Sequence, residues 1–272
     1  MKPKTILITG STDGIGLETA RMLFSQGHRI LLHGRKPEKM KKVKSELNTE
    51  SDSGFMESYV SDLSSIDDAT ALAHNVAEKH PNLDVLINNA GVYHPSVLVT
   101  QEGLDTRFVV NTIAPYILAK CLSPILGPKG RIVNVSSAAQ APLSAETLGI
   151  PNHIPDGAAY AQSKLALTMW SRHMALSFEE KGPVVVAVNP ASMLGSKMVK
   201  EAYGVDGADL RIGADILCRA ALSDEFAGAS GKYYDNDSRR FTAPHPDALN
   251  PQKCKEIVRS IETIINTKKM LD

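Results

Sequence analysis

Segments that read as β-strand alternate with segments that read as α-helix from the start of the chain, and this order leaves few folds open. Residues 5–8, 29–33, 55–60, 84–87, 131–135, 184–188 and 232–234 are β-rich runs. Helical patterns lie between them: the stretch with Ile15, Ala20, Leu23 and Phe24 on one side, the lysine-rich residues 37–47, then 65–80, 104–126, 158–181 and 209–222. An interruption or kink is expected at Pro115, and a last helix after Pro251. The runs 6–8 and 184–188 are apolar throughout, as strands covered on both faces are. Repeated strand-then-helix order makes a parallel sheet with helices on both faces. No linker, internal repeat or low-complexity tract breaks the pattern, so residues 1–272 are read as a single domain. Two irregular segments, about 138–157 and 190–208, follow strands five and six, where open α/β sheets bind ligands.

Composition closes off several functions. Lysine plus arginine total 30 and aspartate plus glutamate total 30, so the positive excess needed to grip nucleic acid or an anionic membrane is missing. Apolar residues at 43% and charged residues at 22% exclude disorder over most of the length. Cys121, Cys218 and Cys254 are far apart and form no C-x-x-C, which argues against a disulfide framework and for reduced thiols in a cytoplasmic protein. The eight histidines form no H-E-x-x-H, so no metal is expected. No run approaches the ~20 apolar residues of a bilayer span, and no span is expected. Met1-Lys2-Pro3-Lys4 leads straight into the first strand, leaving no place for a signal peptide or N-terminal anchor.

Two motifs carry chemistry. Thr9-Gly10-Ser11-Thr12-Asp13-Gly14-Ile15-Gly16 joins the first strand to the first helix. Glycines there let the backbone turn tightly and approach a pyrophosphate seated on the positive end of the helix. A plain tight turn also fits this motif alone. Tyr160-Ala161-Gln162-Ser163-Lys164 places a phenol and an ammonium one helical turn apart. A neighbouring cation favours the phenolate and lowers a pKa that is ordinarily near ~10. Taken alone, this pair also fits an exposed helix face.

The spacing G-x-x-x-G-x-G resembles the short-chain dehydrogenase/reductase family, and further pieces follow in the family's order. Asn88-Asn89-Ala90-Gly91 ends the fourth strand, Asn111 lies in Val109-Val110-Asn111, Val135-Ser136-Ser137 ends the fifth strand, and Asn189-Pro190 follows the sixth. The resemblance covers roughly residues 4–235 and implies a Rossmann-type doubly wound parallel sheet of about seven strands. By that resemblance Ser137, Tyr160 and Lys164 are the catalytic trio, with Asn111 holding a relay water, and Ser136 points away. The cofactor would meet Gly10, Ser11, Thr12, Gly14, Ile15, Gly16, Asp62, Leu63, Asn89, Ala90, Gly91, Pro190 and Ser192, besides Tyr160 and Lys164. Ser137 and Tyr160 are 23 positions apart, and Thr100-Gln101-Glu102-Gly103-Leu104 leads through Phe108 to Asn111. Both features resemble the retinol-dehydrogenase-like branch, which implies hydrophobic aldehydes or ketones.

Cofactor choice is read at the end of the second strand. An acid about 20 residues after the glycines ordinarily binds the ribose diol of NAD. Here Gly34 holds that position and Arg35 follows, a residue able to pair with a 2′-phosphate. NADP(H) is therefore expected, with NAD(H) as the alternative and Asp13 as a feature that fits NADP less well. The resemblance implies hydride transfer between nicotinamide and a small carbonyl or alcohol substrate, and a homodimer or homotetramer formed through the helices near 104–126 and 158–181. Alternatives are an NADPH-binding regulatory or sensor protein without turnover, and a dehydratase or epimerase. One departure stands out. The family's P-G is Pro190-Ala191 here, followed by Ser192 through Ser196, with Ser196 a candidate replacement for the usual threonine.

Overall fold

A computed structural model describes residues 2–51, 54–151, 154–179 and 181–269. The first half alternates β1 (Thr5–Ile8), α1 (Gly14–Ser25), β2 (Arg29–Gly34), α2 (Pro37–Glu50), β3 (Phe55–Val60), α3 (Ile66–Lys79) and β4 (Val85–Asn88). A short α4 (Thr106–Phe108) passes through a π-helical segment (Val109–Ile113) into α5 (Ala114–Leu126), then β5 (Arg131–Val135), α6 (Asp156–Ser177) and β6 (Val184–Asn189) follow. The chain continues through α7 (Lys197–Tyr203), α8 (Leu210–Leu222), β7 (Tyr233–Asp235), β8 (Arg240–Thr242) and α9 (Pro251–Lys269). The sheet has eight strands in the order β3-β2-β1-β4-β5-β6-β7-β8. All pairings are parallel except β7 with β8. The antiparallel edge strand was not anticipated, because Arg240-Phe241-Thr242 is too short to show a period.

Strand side chains alternate between two apolar layers, as the two-residue period requires. Leu7, Leu31, Leu86, Ile132 and Val185 face α3, α5 and α6. Ile6, Ile8, Ile30, Ile87, Val133 and Val186 face α1, α2 and α8. Helix starts follow capping chemistry: Asp13, Ser65, Ser196 and Asp209 each accept a backbone N–H from the first turn. β1 and β4 are neighbours although β2 and β3 lie between them in sequence. Their carboxyl ends therefore open into the crevice of a topological switch point.

Two expectations are corrected. The irregularity in the long helix lies before Pro115, in the π segment, where the Ala114 N–H reaches the Val109 carbonyl. Pro115 itself sits in the first turn of α5, where a missing N–H is harmless. Thr106–Leu126 is long and apolar enough to cross a membrane by length and composition, yet 72% of its most apolar window is buried inside the molecule as a core helix. α9 lies over part of the face formed by α5 and α6. α9 packs along α6, burying Ile257 and Ile261, and Glu262 accepts from Lys120 at 2.6 and 2.8 Å and from the Tyr116 hydroxyl.

Candidate active site

The glycine turn is built by close approaches. Gly10 has φ of +64°, and a Cβ on it would lie 2.9 Å from the Ala90 Cα. A Cβ on Gly16 would lie 2.3 Å from Asn89 Nδ2 and 2.4 Å from the Gly10 carbonyl oxygen. Asn89 Nδ2 donates to the carbonyls of Thr9 (2.9 Å) and Gly10 (3.2 Å), while the Asn89 and Ala90 N–H groups both donate to Thr9 Oγ1 at 3.0 Å. Asn89 thus braces the turn, with both amide protons engaged.

His33, which sequence reasoning passed over, holds the other side. It is buried, accepts the Gly10 N–H at Nδ1 (3.2 Å) and meets the Ser61 carbonyl through Nε2 at 3.2 Å. Burial pushes its imidazole down to about 4, so near neutral pH it is uncharged with the proton on Nε2. Ser11 is fully buried, its N–H donates to the His33 carbonyl (2.9 Å) and its Oγ accepts the His33 N–H (2.9 Å), which ties the turn to β2.

Other groups remain open to a nucleotide. Asp13 accepts the Gly14 N–H at 2.8 Å and pairs with Lys39. The amides of Ile15 and Gly16 complete the first turn of α1, where helical geometry provides no acceptor. That end attracts anions, which must share it with the Asp13 carboxylate. Arg35 is exposed beyond β2 and is without an ion pair or hydrogen bond among the described residues. Asp62 Oδ1 is engaged by the Ser64 N–H (3.0 Å) and hydroxyl (2.8 Å), and the Leu63 side chain is in the core, so only the backbone of Leu63 is left for an adenine.

At the end of β5 the two serines diverge. Ser136 is buried and shares a 2.7 Å hydrogen bond with Thr168. Ser137 is only partly buried; its carbonyl accepts from Tyr233 Oη and from Gln140 Nε2, each at 3.0 Å, and its hydroxyl hydrogen-bonds the Tyr160 phenol. Lys164 Nζ lies 5.6 Å from the Tyr160 ring centroid and donates to the Val135 carbonyl at 2.6 Å. Asn111 Oδ1 accepts the Val92 N–H (2.8 Å), and Nδ2 donates to the Val92 carbonyl (2.9 Å) and Ser163 Oγ (3.0 Å). The amide protons of Asn111 are therefore occupied, leaving one lone pair of Oδ1 for the expected water. Gly91 joins the parts, since a Cβ there would be 3.4 Å from Asn111 Oδ1 and 3.6 Å from Lys164 Nζ.

Burial pushes the Tyr160 phenol up to about 12; the Ser137 hydrogen bond opposes this, and Tyr203 and Tyr93 add to it. Burial pushes the Lys164 ammonium down to about 8. The ammonium lies over the ring and is tied to the Val135 carbonyl, and burial is the largest cause of the shift in both groups.

The loop after β6 is held by a second turn. Asn189 Nδ2 donates to Asp235 Oδ1 (2.7 Å) and Asp237 Oδ2 (2.9 Å), and Asn236 Nδ2 donates to the carbonyl of buried Pro190 (3.0 Å). Ser192 donates to Asp237 through its N–H (2.8 Å) and Oγ (2.6 Å). These bonds hold Ser192 and its loop against Asp237. Ser196 faces the turn instead, 3.8 Å from a Cβ built on Gly14. Ala191 has φ of +118° and Met193 of +54°, left-handed values that favour glycine.

The family model for short chain dehydrogenase matches residues 4–204. Human retinol dehydrogenase 12 is 29% identical over 254 residues, with 89% of this chain and 80% of that protein covered. Human polyprenol dehydrogenase is 29% identical over 255 residues, covering 86% and 77%. A metagenomic short-chain oxidoreductase solved in complex with NADP has a TM-score of 0.60 at 29% identity, covering 82% of this chain and 93% of that one. A Mycobacterium paratuberculosis protein shares the fold with a TM-score of 0.79 at 23% identity, covering 97% and 93%. The matched stretch includes the glycine turn, N-N-A-G, both strand-end serines and the Tyr160–Lys164 pair, and the chain belongs to the short-chain dehydrogenase family, near its retinol-dehydrogenase-like branch.

Proposed function

We propose that this protein is an NADP(H)-dependent oxidoreductase that interconverts a hydrophobic aldehyde or ketone and its alcohol. The observation that carries the reading is the convergence of Ser137, Tyr160 and Lys164 beyond the end of β5, with Lys164 Nζ tied to the Val135 carbonyl and lying over the Tyr160 ring. When bound, the nicotinamide supplies or accepts the hydride. Gly14, Ile15 and Gly16 would hold its pyrophosphate, and Ser196 lies across from them. An unpaired Arg35 and the absence of an acid at Gly34 support the phosphorylated nucleotide, as does NADP in the metagenomic relative. A charge-assisted hydrogen bond from Arg35 contributes about 1.5–3 kcal/mol, roughly a ten- to hundredfold preference.

In the reducing direction the Ser137 hydroxyl polarises the substrate carbonyl. Tyr160 donates its phenolic proton to the oxygen as negative charge develops there. A phenol near 12 stays protonated at neutral pH, the form that donation needs. Lys164 stands beneath it as the cation that stabilises the phenolate left behind. The test is NADPH consumption with a panel of aldehydes and ketones, comparing wild type with Tyr160→Phe. Turnover that drops at least a hundredfold in the variant, with NADPH still bound, supports the reading. Undiminished turnover in Tyr160→Phe removes it, and NADPH binding without turnover of any compound favours a sensor.

A further inference from the structure

Three tyrosines run in file from the centre of the site to solvent. The Tyr93 ring centroid is 5.2 Å from that of Tyr160, and the Tyr203 centroid is 6.0 Å from that of Tyr93. Gly157, in the first turn of α6, makes room for the middle ring, because a Cβ there would lie 2.9 Å from the Tyr93 hydroxyl. Tyr93 is therefore fixed between Gly157 and Tyr160. Tyr203 is not: it is 55% exposed and ends α7, a helix without a buried residue. The segment carrying it is closed at its base by Gly195 N–H to the Ala208 carbonyl (2.6 Å) and Ala208 N–H to the Met193 carbonyl (2.8 Å). It turns at Gly204 and Gly207, with φ of +69° and +73°. Met193 and Val205 expose apolar surface on the same segment.

We infer that Tyr93 and Tyr203 determine specificity, Tyr93 as a fixed aromatic platform beside the Tyr160 hydroxyl and Tyr203 as its displaceable cover, so that the site prefers carbonyl compounds bearing a flat aromatic ring to those bearing a saturated ring of the same size. The inference rests on the proposed hydride transfer. A substrate whose oxygen meets Ser137 and Tyr160 carries its substituent past the Tyr93 ring. A flat ring there replaces Tyr203 like for like, with the same edge-to-face and offset contacts. A puckered saturated ring is thicker and lacks the matching quadrupole, so it lifts the cover and gains less in return.

The test compares kcat/KM for phenylacetaldehyde and cyclohexylacetaldehyde at saturating NADPH, two compounds whose carbonyl is not conjugated with the ring. The wild type is expected to favour the phenyl compound by about three- to tenfold, the range aromatic pairs provide beyond buried area. Tyr93→Leu should bring the ratio to about one. Tyr203→Phe keeps the ring, should keep the ratio, and should lower KM for both compounds. A ratio that Tyr93→Leu leaves unchanged overturns the inference. Should the wild type reduce neither aldehyde, the hydride-transfer reading fails, and calorimetric binding of the two corresponding alcohols to the NADPH-loaded protein decides the platform. Equal affinities overturn it, and tighter binding of the phenyl compound that Tyr93→Leu abolishes sustains it.

Discussion

Gly34 and Thr12 stand so close that a Cβ on Gly34 would lie 2.7 Å from Thr12 Cγ2 and 3.0 Å from Thr12 Oγ1. The missing acid at the end of β2 is therefore a matter of packing as well as charge. An aspartate able to bind a ribose diol has no room while a threonine stands in the glycine turn.

Gly34→Asp alone should destabilise the protein by about 1–3 kcal/mol and weaken binding of both nucleotides. Adding Thr12→Gly should restore most of the stability, and adding Arg35→Ala to that pair should make NADH the tighter ligand. Thermal unfolding with NADPH and NADH titrations on each variant checks this. Full stability in Gly34→Asp would show that Thr12 yields easily.

The turn after β6 holds alanine where glycine is favoured. Ala191, with φ of +118°, should cost about 1–3 kcal/mol and is kept in place by Asp237. Ala191→Gly is expected to raise stability by about 1 kcal/mol after its own unfolded-state entropy is subtracted. Asp237→Ala should raise KM for the nucleotide several-fold more than it lowers kcat, because Ser192 is released while Tyr160 is untouched. Ala191→Gly in the Asp237→Ala background should recover part of that loss. Urea unfolding and steady-state kinetics read both effects.

Lys164 gives a pH dependence with a definite sign. Its folded pKa, about 8, lies below its unfolded value of 10.5, so the unfolded chain binds more protons between those limits. The folded state is penalised in full below pH 8, and the penalty fades as pH rises toward 10.5. Lys164→Met should therefore stabilise the nucleotide-free protein by about 1–2 kcal/mol at neutral pH, after loss of the Val135 hydrogen bond. Unfolding across alkaline pH should show that gain shrinking toward pH 10.5. A gain that grows with pH would reverse the assignment.

α9 covers a face that otherwise belongs to α5 and α6. Charging its inner side with Ile257→Glu and Ile261→Glu, both fully buried, should peel it away and expose that face. Size-exclusion chromatography should then show larger species than the wild type. An unchanged elution volume with α9 detached, read by proteolysis, would mean that the exposed face does not self-associate.

Strand and helix order was legible because each buried strand is a run of apolar residues and each turn carries glycine, proline or a capping side chain. Ser137, Tyr160 and Lys164 were picked out by the resemblance of their motifs, in order on defined elements, to a family pattern, and the fold brings them together. The partners of Ser11 and Ser192 were not legible for a shared reason: a hydroxyl in a motif does not reveal which backbone or carboxylate will claim it. His33, Asp237 and Tyr203 were missed because each acts across a gap that local patterns do not span, such as the 45 positions between Ser192 and Asp237. The π segment was legible only as irregularity near Pro115, since its widened turn answers to packing against Ser163 and Val92.

The Leu194–Ala208 bridge lets the chain leave the core and return at almost the same point. The closure penalty for such an excursion grows slowly with its length, and here the base is tied whatever lies between. Residues 195–207 therefore behave as an interchangeable cassette. A lineage could trade the part beyond Ser196 for a longer or differently shaped insert without disturbing strand register. New appetites would then arise by grafting at one doorway and not by rebuilding the house.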